Sequence, residues 1–286
     1  MSPRTILITG CSKSTGIGMA AARRLRADGH AVHTTVRVPQ EVGPAAAGLG
    51  PGIPVHVLDL DDETTIVSAV REVETASGGI DVLVNNAGTG LLGTVESLER
   101  DLLASYLATN VGGTVRVTQE VLPGMRERGR GHVITMATVF TARHAPPGVG
   151  GYIAAKAALQ TIMQALAVEV AAWGIRVTDF QPGPARTVLT FEQGGRFAEG
   201  EDPTAGLVEA AYGWFDQAAP DWQQPEEVAA ALAELVALEP PPFRRQSSPS
   251  ATAYVAQGLT DPTGERDRDA LVDFILGAWT PPVERR

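Results

Sequence analysis

The stretch "ITGCSKSTGIGMA", Ile8 to Ala20, sets glycines between the apolar run "TILITG" and the amphipathic stretch "GIGMAAARRLRADG". The run reads as a short buried strand and the amphipathic stretch as a helix, so the glycines occupy a strand-to-helix turn. Glycines there let the backbone approach a pyrophosphate, and the free N–H groups and positive dipole end of the following helix attract it. Gly10, Gly16 and Gly18 are the residues that supply this approach. A glycine turn made only for tight packing reads the same way, and the spacing is not the GxGxxG of the general dinucleotide fingerprint. Other parts of the chain must therefore distinguish the two.

Outward from this turn, "HAVHTTV", "IPVHVLDL", "IDVLVNNAG", "GHVITMAT" and "IRVTDFQPG" are also strand-like, with helical stretches between most of them. Such alternation predicts an α/β fold of Rossmann-like type: a doubly wound parallel sheet with helices on both faces. "GPAAAGLGPGIP", residues 43–54, reads as a loop. The 286 residues, 44% of them hydrophobic, suit a single domain. Within it, residues 4–186 are expected to form the core. Residues 187–224, which hold Phe191, Phe197, Tyr212, Trp214, Phe215 and Trp222, read as a lid over an apolar substrate, or as a helical hairpin that packs those rings into an ordinary core. Residues 225–286 hold the helix opened by "PEEVAAALAELVAL", the tail "PPPFRRQSSPS" and a last helical stretch near "RDALVDFILGAW".

Composition excludes several classes. The first strand begins by Thr5, leaving no room for a signal peptide, and no apolar run reaches the length of a membrane span, so a cytoplasmic protein is expected. Cys11 is the single cysteine, which rules out an intrachain disulfide. The net charge of −10 carries no long basic stripe, which speaks against nucleic acid as a partner. His30, His33, His56, His132 and His144 show no metal-ligand spacing, so no metal site is expected.

The series "TGCSKSTGIG", "LDL", "NNAG", "TNVGGTVRVTQEVLPGMRERGRGHVITMAT", "YIAAK" and "QPGPART" resembles, in content and order, the short-chain dehydrogenase/reductase family over about residues 4 to 190. The tail is more loosely similar to members acting on steroids, retinoids and other apolar alcohols or ketones. The family's glycine loop reads TGxxxGxG, and here two additional residues stand between Gly10 and Gly16. The resemblance implies that Gly10, Lys13, Ser14, Gly16, Ile17 and Gly18 hold the cofactor phosphates. It also implies that Asp59 and Leu60 meet the adenine, and that Asn86, Ala87 and Gly88 line the ribose and nicotinamide side. Pro182, Gly183 and Thr187 would meet the carboxamide. NAD-specific sites end the second strand in a carboxylate that bonds the ribose 2′-OH, whereas "HAVHTTVR" ends in Val36 and Arg37. Arg37 and Lys13 offer cations to a 2′-phosphate instead, so NADP(H) is favoured over NAD(H).

Tyr152 and Lys156 lie four apart at the start of a helical run and share a face. Lys13 and Lys156 are the only lysines in the chain, against twenty-one arginines. A free tyrosine titrates near ~10, and a nearby ammonium together with the positive ring of an oxidised nicotinamide favours its phenolate. Tyr152 is therefore the expected proton shuttle, and by the resemblance Lys156 also holds the nicotinamide ribose. The family's serine after the fifth strand falls on Thr138, with Thr135 and Thr141 as poorer alternatives because the Thr138-to-Tyr152 separation is one residue longer than usual. "RHAPPGVGG" is the expected place of the insertion. Asn110 matches the family's helix asparagine, which holds a water linking the lysine to solvent.

The expected activity is NADP(H)-dependent interconversion of a ketone and a secondary alcohol on a small, largely apolar substrate. Its rivals are a non-redox or multi-step reaction on the same fold (epimerisation, dehydration or cyclisation) and a nucleotide-sensing protein without turnover. By analogy, a homodimer or homotetramer would form through the helices around residues 99–128 and 152–173.

Overall fold

The computed structural model describes residues 2–187, 189, 191–194, 196–197, 202–218, 222–261, 263 and 265–278. Its apolar runs become strands β1 (Thr5–Ile8), β2 (Ala31–Val36), β3 (Val55–Val57), β4 (Val82–Asn85), β6 (Gly131–Met136) and β7 (Ile175–Gln181). With β9 (Arg244–Gln246) they form a seven-stranded parallel sheet in the order β3-β2-β1-β4-β6-β7-β9. Strand order reverses between β1 and β4. In open sheets of this kind the diverging carboxyl ends leave a crevice where ligands bind.

Alternate residues of each strand feed two cores. Ile6, Ile8, Val84, Ile134 and Phe180 pack with α1 (Ile17–Ala27) and α8 (Pro225–Ala237) on one face. Leu7, Leu83, Val133 and Val177 pack on the other with α3 (Glu63–Ser77), α5 (Thr114–Arg128) and α6 (Gly150–Glu169). Burial on both faces explains why the central strands read as continuous apolar runs and not as alternating ones. Helix signals are local: Asp62 caps α3 by accepting from Thr64 N–H, and Gly78 ends it in the left-handed region. At α8, Pro225 occupies the first turn and Gln224 and Glu227 form a reciprocal cap.

The loop expected over residues 43–54 is corrected in its first half, because Val42–Leu49 is helix α2. Pro44 falls in its first turn, where an N–H has no helical partner, and three alanines follow. Burial of Ala45 and Leu49 supplies the driving force, and Arg23 of α1 donates to the Gly48 carbonyl at 2.9 and 2.6 Å. The tail "PPPFRRQSSPS" also holds more than a connection. Arg244–Gln246 becomes β9, which has no apolar pattern and is recruited by backbone pairing to β7 (Asp179↔Arg244, Gln181↔Gln246). Helix α9 (Pro249–Leu259) follows, capped by Ser248.

Residues 187–224 contain β8 (Phe191–Gln193), paired to β5 (Gly90–Leu92), and α7 (Ala205–Ala218). Ala210 and Ala211 of α7 pack on Ile275 of α10 (Glu265–Ala278). The side chains of Tyr212, Trp214 and Phe215 lie outside the described residues. Among the described residues no helix is long and apolar enough to cross a membrane, and no group of three or more metal-ligating side chains occurs.

Candidate active site

A cleft of about 610 Å³ opens at the carboxyl ends of β1 and β4 and runs from Lys13 and Arg37 to Tyr152 and Phe191. Its floor explains the glycines. Gly10 has φ +75°, and a Cβ there would stand 2.6 Å from Ala87 Cα. A Cβ on Gly18 would stand 2.5 Å from Asn86 Nδ2 and 3.0 Å from the Gly10 carbonyl. The Asn86 amide donates to the carbonyls of Thr9 (2.8 Å) and Gly10 (3.0 Å), while the Thr9 hydroxyl accepts from the N–H groups of Asn86 and Ala87. Gly10 and Gly18 thus let the turn after β1 lie against the turn after β4, so the tight-packing reading holds for both. The same closeness leaves the cradle bare of side chains. The additional loop residues fold into a turn closed by Gly16 N–H on the Lys13 carbonyl, 2.9 Å, and Gly16 caps α1 without any side-chain bond. The first N–H groups of α1 therefore stay available to an anion. The donor set, free helix N–H groups with the Lys13 side chain beside them, fits a phosphate-bearing dinucleotide.

At the far end Arg37 follows β2. Its guanidinium meets Asp59 at 3.1 Å and Asp61 at 3.8 Å, and its side chain remains 64% exposed. Glu41 accepts from the Arg37 backbone N–H at 3.2 Å and also borders the cleft.

At the near end Thr138 leaves β6 and caps a 3₁₀ turn, Val139–Ala142, accepting from Phe140 N–H at 3.3 Å. Its side chain also bonds the Tyr152 phenol inside the cleft. The Thr141 hydroxyl donates to the Thr138 carbonyl, and the Thr135 hydroxyl is buried without a partner among the described residues; neither residue borders the cleft. Tyr152 and Lys156 project from the first turns of α6. Gly148, in the stretch between Thr138 and Tyr152, turns with φ +86°, and Thr138 and Tyr152 border the same cleft.

Burial pushes the Tyr152 phenol up to about 12, against a smaller downward pull from its bond to the Thr138 side chain. The ammonium expected to lower it stands 6.0 Å from the ring centroid and donates to the Met136 carbonyl at 2.8 Å. In the free protein burial outweighs Lys156, and Tyr152 keeps its proton. Lys156 is itself pulled down to about 8 by burial, partly offset by the Asp179 carboxylate.

The expected site residues border this one cleft, except Ser14, which is exposed on the loop turn, and Asn110. Asn110 sits in a π-helical turn, Ala108–Gly113, that joins α4 (Arg100–Leu107) to α5. Its side chain accepts from Thr89 N–H and donates to the Tyr106 carbonyl, both at 3.0 Å, one layer behind Gly88. Sequence reading missed Glu41 and most of an apolar wall made by Phe140, Val149, Ile153, Leu189, Phe191 and Trp222. Phe191 and Trp222 belong to the aromatic segment, and Ile153 neighbours Tyr152, but nothing local marks the others.

The family model described as short chain dehydrogenase matches residues 4–194. The chain is 33% identical to 17-beta-hydroxysteroid dehydrogenase type 1 of Homo sapiens, covering 97% of this chain and 87% of that protein. It is 30% identical to retinol dehydrogenase 8 of Bos taurus, covering 92% and 87%. The crystal structure of a short-chain dehydrogenase from Streptomyces avermitilis superposes with a TM-score of 0.79 at 28% identity, covering 96% of each chain.

Proposed function

Because the chain belongs to the short-chain dehydrogenase/reductase family of oxidoreductases, we propose that it interconverts a ketone and a secondary alcohol on a small, largely apolar substrate with NADP(H). The observation that carries this reading is the meeting of a phenol, a threonine hydroxyl bonded to it and an apolar wall at one end of a glycine cradle. A bound nicotinamide nucleotide supplies or accepts the hydride. The chain's own residues do the rest. Thr138 donates to the substrate oxygen and fixes its position, and Tyr152, protonated in the resting site, delivers the proton to that oxygen during reduction. Lys156 holds the nicotinamide ribose and stabilises the phenolate left behind, and Asn110 braces the Thr89 backbone at the cleft edge.

Gly10, Lys13, Gly16 and Gly18 would hold the phosphates, Asp59 and Leu60 the adenine, and Pro182, Gly183 and Thr187 the carboxamide. The exposed Arg37 guanidinium favours a 2′-phosphate, and Val36 offers the 2′-OH no acceptor. The apolar wall, with the steroid and retinol names of two relatives, supports an apolar alcohol or ketone, and residues 187–224 would cover it as a lid. The test follows NADPH absorbance with a panel of apolar ketones for the wild type and Tyr152→Phe. Consumption that depends on ketone and disappears in Tyr152→Phe is the expected result. Undiminished turnover in Tyr152→Phe would remove the mechanism.

A further inference from the structure

Asp179 of β7 is 1% exposed, and a carboxylate at that depth calls for partners. Strand register places Asn85, Thr135, Asp179 and Arg244 in one polar row across β4, β6, β7 and β9. The row shares the sheet face of Val133 and Val177, two residues earlier on their strands, and that face packs against α6. Above it, Lys156 and Gln160 stand one turn apart on α6.

Gln160 and Gln181 donate to Asp179 Oδ2 at 2.7 and 2.8 Å, and Gln181 is held in turn by Gln246 at 2.7 Å. These amides are neutral and leave the charge in place. Arg244 Nε stands 3.9 Å away, beyond hydrogen-bond reach, and has no hydrogen-bond partner of its own among the described residues. The charged and titratable groups facing Asp179 are thus Lys156 and Arg244; those facing Lys156 are Asp179 and Tyr152.

We propose that Asp179 is a positioning residue for Lys156: its carboxylate, fixed by two amides beneath α6, keeps the buried amine in its ammonium form. The inference rests on the reading that Lys156 serves Tyr152 and the cofactor ribose. Burial lowers Lys156 and Asp179 raises it, in agreement with this geometry.

With only two lysines in the chain, protein labelled at the lysine ε-carbon gives two NMR signals, which Lys13→Arg assigns. The midpoint expected for Lys156 in the free wild type is near pH 8. In Asp179→Asn, which keeps the shape and removes the charge, the midpoint moves down by at least about one pH unit. Asp179→Ser, smaller and also neutral, does the same should the Asn variant fail to fold, and Arg244→Gln does not lower it. An unchanged Lys156 midpoint in either folded neutral variant, with thermal stability lowered as in Arg244→Gln, would make Asp179 a mere anchor for β9 and overturn the proposal. The titration needs no turnover, so a shifted midpoint in a protein that reduces no ketone would sink the proposed function and leave the Asp179–Lys156 coupling standing.

Discussion

Gly18→Ala separates a glycine kept for close packing from one that any small residue could replace. Gly18 lies in the first turn of α1 with helical backbone geometry, so alanine there gains up to ~1 kcal/mol of helix propensity. Against this, its methyl would stand 2.5 Å from Asn86 Nδ2, 3.0 Å from the Gly10 carbonyl and 3.1 Å from Cys11 Sγ. Asn86 is pinned by its bonds to the Thr9 and Gly10 carbonyls and has to surrender both to move. Two hydrogen bonds at ~1 kcal/mol each, with ~1 to 2 kcal/mol of overpacking against backbone, outweigh the propensity gain and leave a net loss of about 2 to 3 kcal/mol. For a chain of this size that lowers the melting temperature by roughly 4 to 12 °C. NADPH affinity, read by fluorescence titration, falls as well, because the displaced segment is the floor of the cradle. Gly43→Ala in α2 is the control, since a Cβ there meets nothing within 4 Å and leaves stability unchanged or raised by up to ~1 kcal/mol. A Gly18→Ala protein that melts at the wild-type temperature and binds NADPH with wild-type affinity would refute the packing account of the loop.

The Thr138 hydroxyl is tested by Thr138→Ser, which retains most turnover, and Thr138→Val, which keeps the shape but loses the donor and about 10²-fold or more in rate; full activity in the valine variant would move the role elsewhere. Arg37→Ala weakens NADPH by about 1.5 kcal/mol, roughly tenfold, and leaves NADH within about twofold. The low end applies because Arg37 already pairs with Asp59, and equal losses for both nucleotides would contradict a 2′-phosphate contact. His132 is buried with Nε2 on the Thr178 hydroxyl at 2.9 Å and Nδ1 unpartnered among the described residues, and burial pulls it down to about 3 from an ordinary 6.5. Between those values the unfolded chain binds a proton that the folded one refuses, so stability is lost as pH falls below about 6.5, by up to ~1.4 kcal/mol per pH unit. His132→Gln reduces that slope in urea titrations at a series of pH values, and an unchanged slope would assign the acid loss to other groups.

What the chain's letters determined by themselves was local. Strand and helix order followed from hydrophobic runs and 3.6-residue periodicity, and the Tyr152–Lys156 pair from a four-residue spacing on one helix, because these signals lie within single elements. Helix α2 escaped that reading, since its proline and glycines hide a helix whose stability comes from burying Ala45 and Leu49. Strand β9 escaped it too, because "RRQ" has no strand pattern and pairs only where β7 presents an open edge. The tertiary structure alone decided which threonine borders the cleft and which residues build its apolar wall. It also decided that burial overrides the ammonium at Tyr152, and that Asp179, twenty-three residues from Lys156 in sequence, faces the same helix. Desolvation and through-space charge depend on what surrounds a group on all sides, and neighbours supplied by other strands and helices leave no trace beside it in the sequence.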